Sequence, residues 1–210
     1  MSKSKQHQIS EIIKCGKDPV YFMNKYLKIQ HPVKGLIPFK TYSFQDDCVK
    51  DFNDHRFNII LKSRQLGLST LVAAYSVWQA IFYKEKNILI IATKLAVAQN
   101  FIRKVKTAIK SLPSWLVLPE ISANNKQQVE FTNGSQIKAV PTSEDAGRSE
   151  ALSLLIVDEA AFVRNFDELW MGLYPTLSTG GRAIILSTPN GMGGQYYKLY
   201  TGADKKKNDF

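Results

Sequence analysis

The sequence predicts an α/β fold whose mostly parallel central sheet is flanked by helices. The apolar runs at residues 87–93, 152–157 and 183–186 are continuous rather than alternating, which is typical of strands buried on both faces of a sheet. Residues 94–110, between two of these runs, carry apolar side chains at helical spacing. Strands that alternate with helices in this way indicate a parallel sheet.

The composition narrows the class of protein. The chain has 210 residues, enough for one α/β domain with a small appendage, and a formal net charge of +10. This charge favours a polyanionic partner or an anionic surface, with a merely basic domain as the alternative. Two cysteines without CxxC spacing and three scattered histidines argue against a disulfide framework and a zinc site. Since no apolar run approaches the ~20 residues of a membrane span and the N-terminus lacks a signal peptide, we expect a cytosolic protein with no membrane partner.

The N-terminal part is predicted to be helical. Residues 1–8 are expected to form a polar tail. Residues 11–28 contain two amphipathic segments, the second of which should begin with Asp18 as its N-cap and Pro19 in its first turn. Prolines and a glycine predict a connector over residues 31–39.

The central stretch is FNIILKSRQLGLSTL, at residues 57–71, and it follows a helix predicted over residues 44–53 with Ser43 as N-cap. It contains a short apolar strand, a polar turn with Gly67, and the start of an apolar helix over residues 71–82. A helix N-terminus after such a turn binds anions, because the N–H groups of the loop point inward and the helix dipole adds partial positive charge.

This turn matches the phosphate-binding P-loop template, G-x-x-x-x-G-K-[ST], only in part. Gly67 and Ser69 fill the second glycine and the hydroxyl position, whereas Lys62 replaces the first glycine and Leu68 replaces the lysine. Since leucine cannot neutralise a phosphate, the cation for a bound triphosphate would have to be Lys62 or Arg64. An ordinary strand–helix turn, in which Gly67 only supplies a positive φ, is the alternative.

Further elements are predicted downstream. Asn133 and Gly134 indicate a two-residue hairpin between strands at residues 128–131 and 135–140. A helix over residues 166–177 is expected to bend or end at Pro175.

Two acidic residues, Asp158 and Glu159, directly follow the apolar run at residues 152–157. An aspartate there can hold Mg²⁺ beside the hydroxyl of Ser69, and Glu159 can polarise a water for attack on a γ-phosphate. Capping of the next helix is the alternative role for the two acids. Because ligands bind at the carboxyl ends of parallel strands, we expect the turn, the acids and residues 187–189 to share one edge of the sheet.

The segments KSRQLGLST, LLIVDEAAF and LSTPNG, in this order and spacing, resemble the ATPase domain of the large terminase subunit, the DNA-packaging motor of tailed bacteriophages. The resemblance covers residues 42–191. It implies a P-loop NTPase fold of the ASCE (RecA-like) type with a small helical N-terminal or lid subdomain. It also implies Mg²⁺-dependent hydrolysis of ATP that drives double-stranded viral DNA into a procapsid.

The resemblance further implies roles for individual residues. Glu159 would activate the attacking water, Arg64 is favoured over Lys62 as the cation of the loop, and Arg148 would act as an arginine finger on the ATP of a neighbouring subunit. A local ion pair with Glu144 or Asp145 is the alternative for Arg148. The residues expected to contact nucleotide are Gln45, which would read adenine, Lys62, Ser63, Arg64, Gln65, Leu66, Gly67, Leu68, Ser69 and Thr70.

Two further pairs complete the implied site. Ser69 and Asp158 would hold Mg²⁺, and Ser187 and Thr188 would couple hydrolysis to the movement of DNA, although a Ser-Thr-Pro string also simply ends a strand.

The domain boundaries follow from the same resemblance. Residues 1–40 would be an N-terminal helical segment of the lid subdomain, residues 41–194 the ATPase core, and residues 195–210 the start of a truncated lid or linker. Large terminases also carry a nuclease domain with clustered carboxylates, and because no such cluster follows Gly194, we expect that domain to be absent here.

The implied partners are double-stranded DNA, the portal protein, the small terminase subunit and further copies of the chain. The copies would form a ring on the portal, expected to be a pentamer, while the isolated chain could be a monomer in the host cytoplasm. The basic face of residues 94–110 either grips the phosphate backbone or is only solvated; it carries Lys94, Arg103, Lys104, Lys106 and Lys110.

Two other functions are compatible with the motifs. A helicase-like DNA translocase would share the glutamine, the P-loop and the acidic pair. A non-catalytic module that binds DNA or the portal would explain why Leu68 replaces the usual lysine.

Overall fold

The computed structural model describes residues 3–142 and 150–210. Within these ranges the helices are α1 (Lys3–Lys17), α2 (Pro19–Tyr26), α3 (Ser43–Asp54), α4 (Leu68–Phe82), α5 (Leu95–Ser111), α6 (Phe166–Leu173) and α7 (Gly194–Asp204). The strands are β1 (Lys28–His31), β2 (Gly35–Pro38), β3 (Phe57–Leu61), β4 (Asn87–Ala92), β5 (Ile121–Asn124), β6 (Gln128–Phe131), β7 (Gln136–Pro141), β8 (Leu154–Asp158) and β9 (Arg182–Ser187). Short 3-10 helices at Ala160–Phe162 and Tyr174–Leu177 flank α6.

The central sheet has seven strands in the order β3-β9-β8-β4-β7-β6-β5. The first five are parallel to their neighbours, and β6 and β5 extend the sheet antiparallel. The predicted α/β fold with a mostly parallel sheet is therefore confirmed. Because β9 lies between β3 and β8, the strand that enters the P-loop-like turn is one strand away from the strand that ends at Asp158.

Helices cover both faces of this sheet. Ile88 and Ile90 of β4 belong to an apolar cluster that contains residues of α4 and α5, whereas Leu89 and Ile91 belong to a second cluster that contains residues of α6. Successive side chains of a strand point to opposite faces, so a strand covered on both faces must be apolar at every position. This requirement explains the continuous apolar runs of the sequence.

The N-terminal helices pack on the same core. The predicted polar tail at residues 1–8 is wrong, because α1 begins at Lys3; its first turns are exposed and lack the apolar spacing that reveals a helix in a sequence. The predicted N-cap of α2 is confirmed, since the Tyr21 N–H donates to Asp18 Oδ1 at 2.8 Å. The Trp78 indole N–H donates to the Cys15 carbonyl at 2.8 Å and thereby ties α1 to α4.

The predicted connector at residues 31–39 is instead a β-hairpin. β1 and β2 pair antiparallel, and His31 Nδ1 accepts hydrogen bonds from the N–H groups of Val33 and Lys34 in the turn. Pro38 ends β2, where a missing N–H is tolerated. Proline and glycine in this segment therefore mark the hairpin's turn and end rather than an unpaired connector.

Helix boundaries also differ from the prediction. Ser43 is the first residue of α3 rather than its N-cap, which is Tyr42. Helix α4 begins at Leu68, because Gly67 adopts a left-handed conformation with φ 71° and itself occupies the N-cap position. The expectation for Pro175 is confirmed, since α6 ends at Leu173 and a 3-10 turn follows.

Other downstream elements are a mixture of predicted and unpredicted ones. The hairpin at Asn133–Gly134 is confirmed, with β6 and β7 antiparallel and Gly134 at φ 81°. Strand β5 and helix α7 lie outside the elements predicted from the sequence. All four residues of β5 are exposed, so its sequence lacks the alternating burial pattern of a typical sheet strand.

Gly181, just before β9, sits against the backbone of the neighbouring segment. A Cβ at this position would lie 2.2 Å from the Leu152 carbonyl oxygen and 3.1 Å from the Leu177 Cα. We expect Gly181→Ala to destabilise the fold by about 1–3 kcal/mol, which lowers the thermal unfolding midpoint by ~2–4 °C per kcal/mol.

Gly193→Ala is the matched control, because its Cβ would meet nothing within 4 Å and its φ of −145° suits any residue. Differential scanning calorimetry of both variants checks the prediction. Equal midpoints for Gly181→Ala and the wild-type chain would contradict the close approach.

Candidate active site

Three neighbouring parallel strands end at the same edge of the sheet. Leu61 of β3 is in register with Ser187 of β9, and Leu186 of β9 is in register with Asp158 of β8. The turn that follows β3, the acidic pair at the end of β8 and Thr188 after β9 are therefore brought together. The shared edge predicted from the sequence is the edge on which the following contacts lie.

The turn after β3 is held in a fixed conformation. The Lys62 N–H donates to the Ser187 carbonyl at 2.9 Å, and Gln65 and Gly67 adopt left-handed conformations with φ 63° and 71°. The Gly67 carbonyl accepts hydrogen bonds from the N–H groups of Thr70 and Leu71 and so starts α4. A cavity of about 250 Å³ lies over the turn, lined by residues 62–70 together with Lys104 and Glu159.

Leu68 occupies the position at which the P-loop template has its lysine. Leu68 is 4% exposed and belongs to the apolar core cluster beside α4 and α5. The charge that this position would otherwise supply must therefore come from elsewhere in the cavity.

Lys62 reaches the inside of this cavity. Its ammonium nitrogen lies 2.6 Å from Glu159 Oε1 and 3.9 Å from Asp158 Oδ1, and its side chain is 7% exposed. Arg64, in contrast, is exposed and lines both this cavity and a larger one of about 660 Å³ next to it. Of the two cations proposed from the sequence, Lys62 is thus the buried one and Arg64 the accessible one.

Asp158 is 5% exposed and has one unsatisfied oxygen. Its Oδ2 accepts a hydrogen bond from the Ser69 hydroxyl at 2.8 Å, while Oδ1 is buried without a hydrogen-bond partner among the described residues. Burial raises the pKa of Asp158, against the lowering effect of Ser69 and Lys62. An unpartnered carboxylate oxygen beside a hydroxyl is a donor set that suits Mg²⁺.

The donor set is small. Within the described ranges no three His, Cys, Asp or Glu residues cluster in a way that could hold a metal. A Mg²⁺ ion at Asp158 and Ser69 would therefore take its remaining ligands from water and phosphate oxygens, which is how this ion is usually bound in phosphoryl-transfer sites.

Both carboxylate oxygens of Glu159 are occupied. Oε1 accepts from the Lys62 ammonium, and Oε2 accepts from the Thr188 N–H at 3.0 Å and the Thr188 hydroxyl at 2.9 Å. Burial acts to raise the pKa of Glu159, but the hydrogen bonds from Lys62 and Thr188 outweigh it and lower the pKa. Glu159 is held ionised, with a backbone φ of 55° that non-glycine residues rarely adopt.

Helix capping does not account for Glu159. The residue precedes the 3-10 helix Ala160–Phe162, but its side chain makes no capping hydrogen bond. Its contacts go instead to the turn after β3 and to the end of β9. Ser187 strengthens the second link, because its hydroxyl donates to the Thr188 carbonyl and accepts from the Ala161 N–H.

Gln45 lies behind the turn. Its Nε2 donates to the Leu66 carbonyl at 2.8 Å, its Oε1 accepts from the Tyr42 N–H at 3.1 Å, and the residue is 2% exposed. The amide thus supports the turn, and contact with adenine, which stays a prediction, would require it to exchange one of these bonds. The exposed rings of Tyr42 and Phe44 stack beside it with centroids 5.7 Å apart, a feature not anticipated from the sequence.

Lys104 of α5 was also missed. The sequence places it on the basic face of the helix, but in the structure it is half-buried and lines the cavity over the turn. Burial lowers its pKa. The signal available was its spacing, since Lys104 lies three residues after Phe101 and four before Ala108, both of which are buried. The face as a whole is not uniform: Lys94, Arg103 and Lys110 are exposed, and Lys106 donates to the Asn125 carbonyl.

Arg148, the predicted arginine finger, lies outside the described residues, as do Glu144 and Asp145, its alternative partners. In the part of the chain that is described, no helix has the length and apolar character needed to cross a bilayer.

Comparison with known proteins gives a consistent result. The family model described as "Terminase large subunit, T4likevirus-type, N-terminal" matches residues 59–209. The large terminase of bacteriophage HK97 is 14% identical in sequence with a TM-score of 0.72, over 91% of this chain and 42% of that chain. The large terminase ATPase domain of Thermus phage P74-26 is 20% identical with a TM-score of 0.64, over 77% of this chain and 70% of that chain.

A third similar structure contains a nucleotide analogue. It is the large terminase of another thermophilic bacteriophage in complex with ATP-gamma-S, and it is 14% identical with a TM-score of 0.63, over 80% of this chain and 43% of that chain. This chain thus spans less than half the length of the HK97 protein and of the protein bound to ATP-gamma-S. At these identities the solved structures establish the fold, which is that of terminase ATPase domains.

Proposed function

This chain belongs to the family of T4-like terminase large subunits, of which it matches the N-terminal part, and from that premise we propose that it hydrolyses ATP to drive double-stranded viral DNA into a procapsid. One observation carries the proposal. The Ser69 hydroxyl of the turn bonds to Asp158 while Lys62 of the same turn bonds to Glu159, so the phosphate-binding and acidic motifs meet at one cavity.

ATP would bind with its phosphates over the turn at residues 62–70. The N-terminus of α4 and the loop N–H groups attract anions, and Lys62 supplies a positive charge from inside the cavity. The sequence favours Arg64 for this role, but the burial of Lys62 beside both acids makes it the stronger candidate. Arg64 would then contact the nucleotide from the exposed side.

Asp158 and Ser69 would hold the magnesium ion, directly or through water. When bound, Mg²⁺ would neutralise charge on the phosphate oxygens. The unpartnered Oδ1 of Asp158 supports this assignment, because a buried carboxylate oxygen without a partner is costly unless a ligand satisfies it.

Glu159 would be the group that orients and polarises the attacking water. In the nucleotide-free arrangement its oxygens are taken by Lys62 and Thr188. A γ-phosphate competes for the Lys62 ammonium, since a phosphate carries more charge than a carboxylate. Release of Oε1 would leave Glu159 free to accept a proton from water as the water attacks the γ-phosphorus.

Thr188 would pass the state of the nucleotide to the rest of the motor. Both its N–H and its hydroxyl bind Glu159, and Thr188 directly follows β9. A change in the contacts of Glu159 on loss of phosphate would therefore be felt at the end of β9. Ser187 would stiffen this link through its bonds to Thr188 and Ala161.

The assembly is proposed on the basis of the family. Large terminases act with DNA, the portal protein and the small terminase subunit, and we propose the same partners here, in a ring of copies in the host cytoplasm. Arg148 would complete a neighbour's site, where a guanidinium stabilises the charge of the transferring phosphoryl group by ~10³–10⁵ in rate.

One observation favours a second function. Because Leu68 is buried in the core, the loop lacks the usual lysine, as expected for a module that binds DNA or the portal without hydrolysis. The two functions differ in whether phosphate is released from Mg-ATP.

Replacement of Glu159 tests the catalytic role. We expect Glu159→Gln to reduce phosphate release from Mg-ATP by at least ~10², because the amide cannot take a proton from water, while Mg-ATP affinity stays within about threefold. A phosphate-release assay and a nucleotide titration check both parts. Glu168→Gln, an exposed change on α6, is the control. Unchanged turnover in Glu159→Gln, or no turnover in the wild-type chain in the assembled ring, would contradict the proposal.

Single cation removals rank the two candidates in the turn. Lys62→Ala should weaken Mg-ATP binding by roughly 10- to 100-fold, since a charge-assisted hydrogen bond contributes about 1.5–3 kcal/mol. Arg64→Ala should weaken it less, because Arg64 is exposed. Equilibrium titration with exposed Lys84→Ala as the control measures both. The opposite ranking would give the main cation role to Arg64.

A further inference from the structure

We propose that Lys104 of α5 is a phosphate-binding residue of the nucleotide cavity, and that it supplies from α5 the positive charge missing at Leu68. The inference rests on the proposed function and adds a residue that no motif of the sequence includes. Lys104 is the one lining residue of the 250 Å³ cavity that lies outside both the turn and the acidic pair.

The first observation is the environment of the Lys104 ammonium. Among the described residues none accepts a hydrogen bond from it and none forms an ion pair with it, although the residue is half-buried. A desolvated ammonium without a partner is unfavourable. An anion with several oxygens in this cavity would remove that cost.

The second observation is how charge is distributed around the cavity. Asp158 attracts Lys104, and Lys62 repels it. The nearest acids are already engaged, because Glu159 is bonded to Lys62 and Thr188 and one oxygen of Asp158 is bonded to Ser69. The chain places two lysines at one cavity and leaves the second one without an acidic partner among the described residues, which suits a polyphosphate with more negative charge than one carboxylate.

The third observation is the packing that directs Lys104 to the turn. Phe101, Ile102 and Val105 of α5 are buried in the core cluster that also contains Leu68. Lys104 lies beside this apolar stripe, at the margin that faces the cavity, whereas Arg103 and Lys110 are exposed on the outer side. Leu68 therefore packs into the core with α5, and α5 in return presents an ammonium to the loop.

A DNA backbone is the other polyanion that a lysine of α5 could bind. The exposed cations of this helix and its N-cap, Lys94, Arg103 and Lys110, are placed for such contact, and Lys104 is not. The location of Lys104 over residues 62–70 favours a nucleotide phosphate, and loss of DNA binding alone is an outcome that would overturn the proposal.

The test compares Lys104→Gln with Lys110→Gln, an exposed change on the same helix, in the full chain. Each protein is titrated with Mg-ATP and with inorganic tripolyphosphate, which has the phosphates without the base. We expect Lys104→Gln to weaken binding of both ligands by about tenfold or more, and Lys110→Gln to change neither.

A stability measurement accompanies the titrations. Without ligand, Lys104→Gln should melt at the same temperature as the wild-type chain or higher, because an unpartnered half-buried charge is removed. With Mg-ATP the variant should lose most of the stabilisation that the wild-type chain gains. A variant that is equally stabilised by Mg-ATP would overturn the assignment of Lys104.

The two ligands separate this proposal from the proposed function. If the wild-type chain binds tripolyphosphate through Lys104 but releases no phosphate from Mg-ATP, the Lys104 assignment stands and the motor function fails. If Mg-ATP is hydrolysed and bound equally by wild type and Lys104→Gln, the function stands and the assignment fails. Reduced binding to duplex DNA by Lys104→Gln, with both phosphate ligands bound normally, would also refute it.

Discussion

The ion pair between Lys62 and Glu159, with nitrogen and oxygen 2.6 Å apart, links the three strands on which the site is built. Lys62 follows β3, Glu159 follows β8, and Thr188, which binds the other oxygen of Glu159, follows the strand that lies between them. The phosphate-binding turn, the acid proposed to activate water and the proposed coupling residue thus share one carboxylate. A ligand that competes for Lys62 necessarily changes the contacts of all three, which gives nucleotide binding a direct route to β9.

Much of this arrangement could be predicted from the sequence, and the physical reasons are clear. Buried parallel strands must be apolar at every position, so β4, β8 and β9 are evident, and their polar ends locate the site edge. The first turns of α1 and the whole of β5 escaped prediction because they are exposed and carry no periodic apolar signal. The hairpin of β1 and β2 was obscured by proline and glycine, which suit its turn and end as well as a connector.

Side-chain partners were less predictable than backbone elements. The motif identifies Lys62 and Arg64 as cations of one loop, but their difference in burial depends on tertiary packing against β8. Gln45 resembles a solvated residue at a helix start, yet it is 2% exposed because the turn folds over it. Lys104 shares a helix with Lys110, and only the packing of α5 against α4 separates a cavity-lining lysine from a surface one.

The central claim is that a nucleotide phosphate takes Lys62 from Glu159. The most direct measurement is a crystal structure of the chain with Mg²⁺ and a non-hydrolysable ATP analogue. The account predicts phosphate oxygens over residues 62–70 within hydrogen-bond distance of the Lys62 ammonium, and Glu159 Oε1 released from it. A bound analogue beside an unchanged 2.6 Å pair of Lys62 and Glu159 would contradict the account.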